Sequence, residues 1–205
     1  MDILTLAVEN QQIAWQILEE TAIIPSWEQI GATVNLVGSL KSGLLSKNKD
    51  IDLHIYTDRL TIADSFSVIR ELAERLPLKE MQYKNLIDTE EECIEWHLFY
   101  EHSNRDIWKF DMIHIRSGSK YDGTVERVTE AITRRLTEEY RKTILQIKYE
   151  IPDEIVIPGI EIYQAVFDGN VRSYDELKKW RKEHPLTNSL DWLPQDLQNP
   201  VPRTK

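Results

Sequence analysis

A chain of 205 residues that is 41% hydrophobic and carries a formal charge of −10 has enough apolar material for a real core, but no basic excess. That balance argues against non-specific attraction to nucleic-acid backbones or anionic membranes, since both require a cationic surface that releases counterions. One cysteine, Cys93, excludes an internal disulfide and a multi-cysteine zinc site and favours a reducing compartment. The opening MDILTLAVENQQ lacks the basic-then-apolar order of a signal peptide, and no apolar run approaches the roughly 20 residues that span a bilayer. A soluble cytoplasmic protein with no membrane partner is expected.

Over residues 2–21, apolar positions including Ile3, Leu6, Ile13 and Leu18 recur at helical spacing, and Pro25-Ser26 punctuates before Trp27 and a short second helical turn. Residues 33–37 are β-rich and end at Gly38-Ser39; residues 51–56 alternate apolar and polar as a second strand, with GSLKSGLLSKNK as the connection. Residues 62–76, apolar at Phe66, Ile69, Leu72 and Leu76, predict an amphipathic helix stopped by Pro77. Residues 93–100 and 107–115 predict a β-hairpin across EHSNRD, and the acidic DTEEE before it reads as a solvated loop.

After SGSKYDG, Val125, Val128, Ile132, Leu136, Tyr140, Ile144 and Ile147 follow one face of a single long helix, with Asp122 as its N-cap. Two further helical patterns flank Asp168-Gly169-Asn170. The tail from about Ser189 has no period and reads as irregular. The chain thus divides into 1–120, a helical region over 121–188, and a tail over 189–205.

Side chains at i and i+2 of a strand share a face, so Asp50, Asp52 and His54 project together while Ile51, Leu53 and Ile55 fill the other side. Two carboxylates a few Å apart repel and push one pKa up unless a cation bridges them. Mg²⁺ takes hard oxygen ligands and is commonly held by one or two carboxylates plus substrate phosphates, which makes a di-acid strand half of a metal-phosphate site. The residues just upstream supply the other half. Gly38 admits close backbone approach to an anion, Ser39 offers a hydroxyl and an N–H, and Lys41 adds positive charge. The plainer alternative is a solvated edge strand with two surface acids.

The run Leu36-Val37-Gly38-Ser39, then Gly43, then Asp50-Ile51-Asp52-Leu53 resembles the signature of the polymerase beta nucleotidyltransferase superfamily, an hG[GS] turn followed by Dh[DE]h, where h is hydrophobic. The likeness extends in style to the minimal and antibiotic-modifying members. WKFDMIHI supplies, at Asp111, the third carboxylate that the family takes from a later strand. The motifs cover residues 34–56 and 107–115, and the order of elements extends the match to 27–120. The resemblance implies an α+β fold, a small mixed sheet flanked by helices with a C-terminal helical region. It implies that Gly38 and Ser39 bind the β and γ phosphates, that Asp50 and Asp52 ligate two Mg²⁺ ions (Mn²⁺ being an alternative), and that Asp111 ligates the catalytic ion and helps activate the acceptor hydroxyl. The implied reaction moves a nucleoside monophosphate, AMP from ATP as first choice, to a hydroxyl of a small-molecule or protein acceptor and releases pyrophosphate by a two-metal mechanism.

Other residues carry two readings each. Lys41 is a phosphate contact or a solubilising lysine, and Lys47 and Lys49 read as solubilising. His54 is an acceptor contact or the edge of the pocket. A hairpin centred near Asn104 places His97 and Glu95 on the face of Asp111, and a one-residue slip reverses this. His114 then points away and is structural. Tyr163 packs in the core, or stacks on a base if the C-terminal helices close over the nucleotide. The acidic balance favours a small, cationic acceptor or a protein hydroxyl over long nucleic acid, for which no basic groove or interleaved aromatic strip is present. The charged helices after residue 120 would serve a homodimer interface as well as a substrate lid. Two alternatives stand beside the enzyme: a non-catalytic nucleotide-binding regulatory or antitoxin-like protein with this fold, against which the intact acid triad argues, and a metal phosphohydrolase, which would release phosphate instead of pyrophosphate.

Overall fold

The computed structural model describes residues 2–185 and Trp192. The helices α1 (Ile3–Thr21) and α2 (Ile23–Glu28) are separated by Ala22 in the left-handed region, and they bury Ala14, Ile17, Leu18, Ile23 and Trp27 in the main core. The strand β1 (Thr33–Val37) leads through the short helix α3 (Gly38–Lys41) to β2 (Asp50–Thr57). The helix α4 (Ile62–Arg75) is capped by Thr61, whose hydroxyl accepts from the Asp64 N–H at 3.0 Å. Then follow β3 (Leu78–Leu86), β4 (Cys93–Glu101) and β5 (Ile107–Arg116). The sheet order is β1-β2-β5-β4-β3, antiparallel throughout except that β5 lies parallel to β2. The chain is therefore α+β with a mixed five-stranded sheet. One face, with Ile51, Leu53, Ile55, Phe110 and Met112, closes on α1, α2 and α4.

The helices α5 (Thr124–Arg135), α6 (Glu138–Glu150), α7 (Gly159–Phe167) and α8 (Tyr174–Glu183) build a second core around Val128, Ile144, Ile147, Ile162 and Val166. Leu44, from the connection after α3, belongs to this second core. A buried connection must satisfy its carbonyls, and here side chains do it. Asn10 donates to Ser46 O (2.7 Å) and Gln11 to Leu40 O (3.1 Å) from α1, while Arg141 donates to Gly43 O (3.1 Å) and Lys148 to Leu44 O (2.8 Å) from α6.

Four features depart from the pattern expected of the sequence. The strand β3 is exposed along nearly its whole length, so its residues carry no alternation that would betray it. Phe66 is not on the inner face of α4 but packs against Tyr83 of β3 and Trp96, with 44% of its surface exposed. The expected long helix is broken at Leu136, and α6 restarts behind the Thr137 cap, whose hydroxyl accepts from the Tyr140 N–H (3.2 Å). Asp122 does not cap α5: Gly123, at φ +67°, holds that position, and Asp122 instead accepts from the Gly118 N–H (2.7 Å). The expected tail over 189–205 lies outside the described residues apart from Trp192. No described helix is long and apolar enough to cross a membrane.

Candidate active site

The parallel pairing of β2 and β5 sets Asp52 opposite Asp111 and Asp50 opposite Lys109. The antiparallel pairing of β5 and β4 sets His97 opposite Asp111 and Glu95 opposite Ile113, in a hairpin that closes with Glu101 paired to Ile107 and so centres on Asn104. Residues directly opposite one another share a face, so these groups stand together on the side of the sheet away from α1 and α2. Asp50, Asp52, His54, Glu95, His97 and Asp111 line a cleft of about 560 Å³, which Gly38, Ser39, Thr129, Lys148 and Tyr163 complete from the turn and the C-terminal helices.

Gly38 sits at φ +68°, a conformation that L side chains rarely adopt, and a Cβ there would fall 2.8 Å from Asp52 Cγ. Its N–H reaches Thr129 Oγ1 of α5 at 3.4 Å, and its carbonyl accepts from the Ser42 hydroxyl at 2.9 Å. The turn is thus pressed against the di-acid strand from one side and tethered to α5 from the other.

Electrostatically the cleft is an excess of acid with one buried ammonium, Lys148, and a half-buried one, Lys109, beside it. Burial pushes the Asp52 carboxyl up to about 7, and Asp111 and Asp50 push in the same direction. Asp50 is also raised by burial, an effect that Lys109 opposes. Lys109 Nζ lies 2.9 Å from Asp111 Oδ2 and 3.5 Å from Asp50 Oδ1, and His97 Nδ1 lies 2.5 Å from Asp111 Oδ1. Asp52 forms no ion pair among the described residues. Lys148 is buried on α6; desolvation depresses its pKa to about 8, although Asp52 and Asp50 pull it upward, and its Nζ stands 5.8 Å from the centre of the Tyr163 ring. Tyr163 is itself buried, and burial raises its hydroxyl pKa.

The donor set is chemically suited to a hard divalent cation. It consists of carboxylate oxygens on adjacent strands, one of them desolvated and without an ion-pair partner among the described residues. Among the described residues no three acid, histidine or cysteine groups are already gathered around one point. The Lys109 ammonium lies between Asp50 and Asp111.

The remaining sequence candidates fall in several places. His54 is buried, with Nδ1 3.2 Å from the Tyr56 hydroxyl and 3.5 Å from Glu126 Oε1. Tyr56 donates to the same oxygen at 2.7 Å, and Asn35 Nδ2 does so at 3.1 Å. Burial opposes ionisation of Glu126, but the His54 and Tyr56 hydrogen bonds outweigh it and hold the carboxyl down at about 2. Lys41 is exposed and lines a separate depression with Asn35 and Glu126, outside the acid cleft. Lys47 and Lys49 are tied down rather than merely solubilising: Lys47 donates to Ile151 O and pairs with Asp153 at 2.6 Å, and Lys49 pairs with Asp106 at 2.6 Å. His114 is fully buried on the opposite face, 2.9 Å from the Thr57 hydroxyl. A larger depression of about 860 Å³ runs along α8 and shares no lining residue with the acids.

Lys109, Lys148 and Glu126 are the site residues that the sequence reading passed over. Lys109 carried a signal, since it stands two residues before Asp111 and must share its face. Lys148 and Glu126 carried none, being indistinguishable in sequence from solvated helix charges.

No protein-family model matches the chain, and no curated protein does. Solved structures do. The chain superimposes on the poly(A) polymerase GLD-2 bound to GLD-3 with a TM-score of 0.57 at 10% identity, covering 98% of this chain and 72% of that one. GLD-2 in the GLD-2/RNP-8 complex gives 0.55 at 10%, covering 91% and 65%, and the RNA terminal uridylyl transferase Cid1 gives 0.51 at 16%, covering 77% and 46%. The chain therefore spans about half the length of the Cid1 chain. These neighbours belong to the polymerase beta-type nucleotidyltransferase superfamily. The architecture reached strand by strand above is thus a nucleotidyltransferase fold.

Proposed function

We propose that the chain is a Mg²⁺-dependent nucleotidyltransferase that moves a nucleoside monophosphate, AMP from ATP as first choice, onto a hydroxyl of a small-molecule or protein acceptor and releases pyrophosphate. The observation that carries this reading is the pairing of Asp52 with Asp111 on parallel strands, beside a glycine turn from which any Cβ is excluded. Asp50, Asp52 and Asp111 would hold the ions, which when bound would supply Lewis-acid activation of the acceptor hydroxyl and neutralise the triphosphate. The Gly38-Ser39 turn offers backbone N–H and hydroxyl to the triphosphate, and Lys148 adds a buried ammonium from the α6 side of the cleft. His97 orients Asp111 through its Nδ1, so that a carboxylate oxygen is held toward the acceptor side. Thr129 and Tyr163 bound the nucleotide side, and Tyr163 packs there rather than projecting as a free stacking platform. Positioning and fixed charge, more than covalent chemistry, would carry the rate.

The acceptor side is the open stretch of sheet where Glu95 and His97 flank Asp111. Its acid, together with a net charge of −10, favours a cationic small molecule or a protein hydroxyl over RNA, although GLD-2 and Cid1 are by name an RNA-tailing polymerase and an RNA uridylyl transferase. The direct test is Mg²⁺-dependent ATP binding by wild type and by the double variant Asp50→Asn/Asp52→Asn, followed by pyrophosphate release with amine-bearing alcohols, the cell's own proteins or an oligoribonucleotide as acceptor. Equal Mg-ATP affinity in the double variant would sink the metal assignment. Release of phosphate with no pyrophosphate would make the protein a phosphohydrolase, and binding without any turnover would make it a regulatory nucleotide binder.

A further inference from the structure

Lys109 is a cation placed inside an acid cluster, and its position is fixed by the strand. Asp50 and Lys109 are partners across β2 and β5, and Asp111 lies two residues beyond Lys109 on the same face. Its ammonium reaches Asp111 Oδ2 at 2.9 Å and Asp50 Oδ1 at 3.5 Å, but forms no ion pair with Asp52. The three acids are therefore neutralised unevenly. Asp50 and Asp111 already hold a positive charge in contact; Asp52, against the Gly38 turn, has no ion pair and feels the Lys148 ammonium only at longer range.

We propose that Lys109 is a resident counter-cation of the acceptor-side metal position, so that ion loading is ordered: a nucleotide-borne ion enters at Asp52, and the acceptor-side ion enters only by displacing the Lys109 ammonium. This rests on the metal reading of the acids given above. The Lys109 ammonium and an acceptor-side ion would compete for the same oxygens, Asp50 Oδ1 and Asp111 Oδ2, so an ion ligated by both must take the ammonium's place. Lys109 thereby keeps the acids compatible with the folded sheet before nucleotide arrives, and it sets how much divalent ion the acceptor side demands.

The test is direct binding of Mn²⁺ to the nucleotide-free protein, read from the loss of the free-ion paramagnetic signal, in wild type, Lys109→Met, Lys109→Gln and Lys109→Arg. Lys109→Met is expected to bind Mn²⁺ about tenfold or more tightly than wild type, because a competing charge at contact distance has gone. Lys109→Gln should behave likewise and serves if the methionine variant fails to fold; Lys109→Arg, which keeps the cation, should match wild type. Equal affinity in all four proteins would overturn the proposal while leaving the metal site intact, as would tightening by Lys109→Arg equal to that by Lys109→Met. Absence of Mn²⁺ binding in every nucleotide-free variant would overturn this inference, and if ATP binding were also independent of Mg²⁺ the metal reading would fall with it.

Discussion

Gly38 and Asp52 occupy one volume: the space a β-carbon on residue 38 would need is filled by the Asp52 carboxylate, 2.8 Å from that point at Cγ. An alanine at 38 would meet two penalties at once, a left-handed backbone costing on the order of 1–2 kcal/mol and a clash that moves the acid. Gly38→Ala should lower the unfolding midpoint and weaken Mg-ATP binding by at least about tenfold, equivalent to ~1.4 kcal/mol. Calorimetric titration with ATP and a parallel urea melt would check both, and an unchanged ATP affinity would refute the coupling.

Asp52 should destabilise the ion-free protein at neutral pH. Its folded pKa of about 7 lies above its ordinary 3.8, so the stability it contributes is fully present below 3.8 and is lost as pH rises through about 7. Asp52→Asn is accordingly expected to be more stable than wild type at pH 8 without divalent ions, by on the order of 1–3 kcal/mol, and no more stable at pH 4. Urea melts with chelator at the two pH values decide the matter. A variant less stable than wild type at pH 8 would count against the unbalanced-acid picture.

On the proposed function, Lys148 serves triphosphate binding and not base binding. Replacing it with methionine keeps much of the buried volume and removes a desolvated charge, so stability should change little even though Leu44 O loses a donor. Affinity for Mg-ATP should fall by about tenfold, or ~1.4 kcal/mol, and affinity for AMP should hold. A comparable loss for both ligands would show that Lys148 acts only through the fold.

Glu126 is the polar joint between the helical region and the sheet. It accepts from Asn35 of β1 and Tyr56 of β2 while sitting on α5. Its folded pKa of about 2 lies below 4.5, so its contribution is present above 4.5 and is lost as pH falls through about 2. Glu126→Gln should cost about 1–3 kcal/mol at pH 7 and progressively less as the pH approaches 2, and Tyr56→Phe should cost part of the same amount. A double-mutant cycle by chemical denaturation would measure the coupling, and additive losses would argue against a shared network.

The glycine turn and the di-acid strand were legible because each demands a rare local combination: an hG[GS] turn after a β-rich run, and acids alternating with Ile51 and Leu53. Asp111 was legible for the same reason, flanked by Phe110 and Met112 on an alternating strand. The edge strand β3 was not, since it is exposed along nearly its whole length and its polar residues copy a loop. The break between α5 and α6 was hidden because the apolar period runs on through Leu136 and Tyr140, and only the Thr137 cap marks the restart. Lys148 was the least visible, for a buried ammonium is recognised by what surrounds it, and its neighbours come from distant parts of the chain.

The carbonyls of residues 40, 43, 44 and 46 are held by Gln11 and Asn10 from the start of the chain and by Arg141 and Lys148 from beyond residue 135. The segment that delivers Asp50 to its strand is thus sewn to α1 on one side and α6 on the other. Cutting the chain near residue 120 would strand Leu44 without its core and leave two of those carbonyls unanswered, so the first 120 residues would not hold this cleft on their own. The helices that follow the acids are, in this sense, part of the scaffold that places them, and loss of their grip would be felt first at the turn and the di-acid strand.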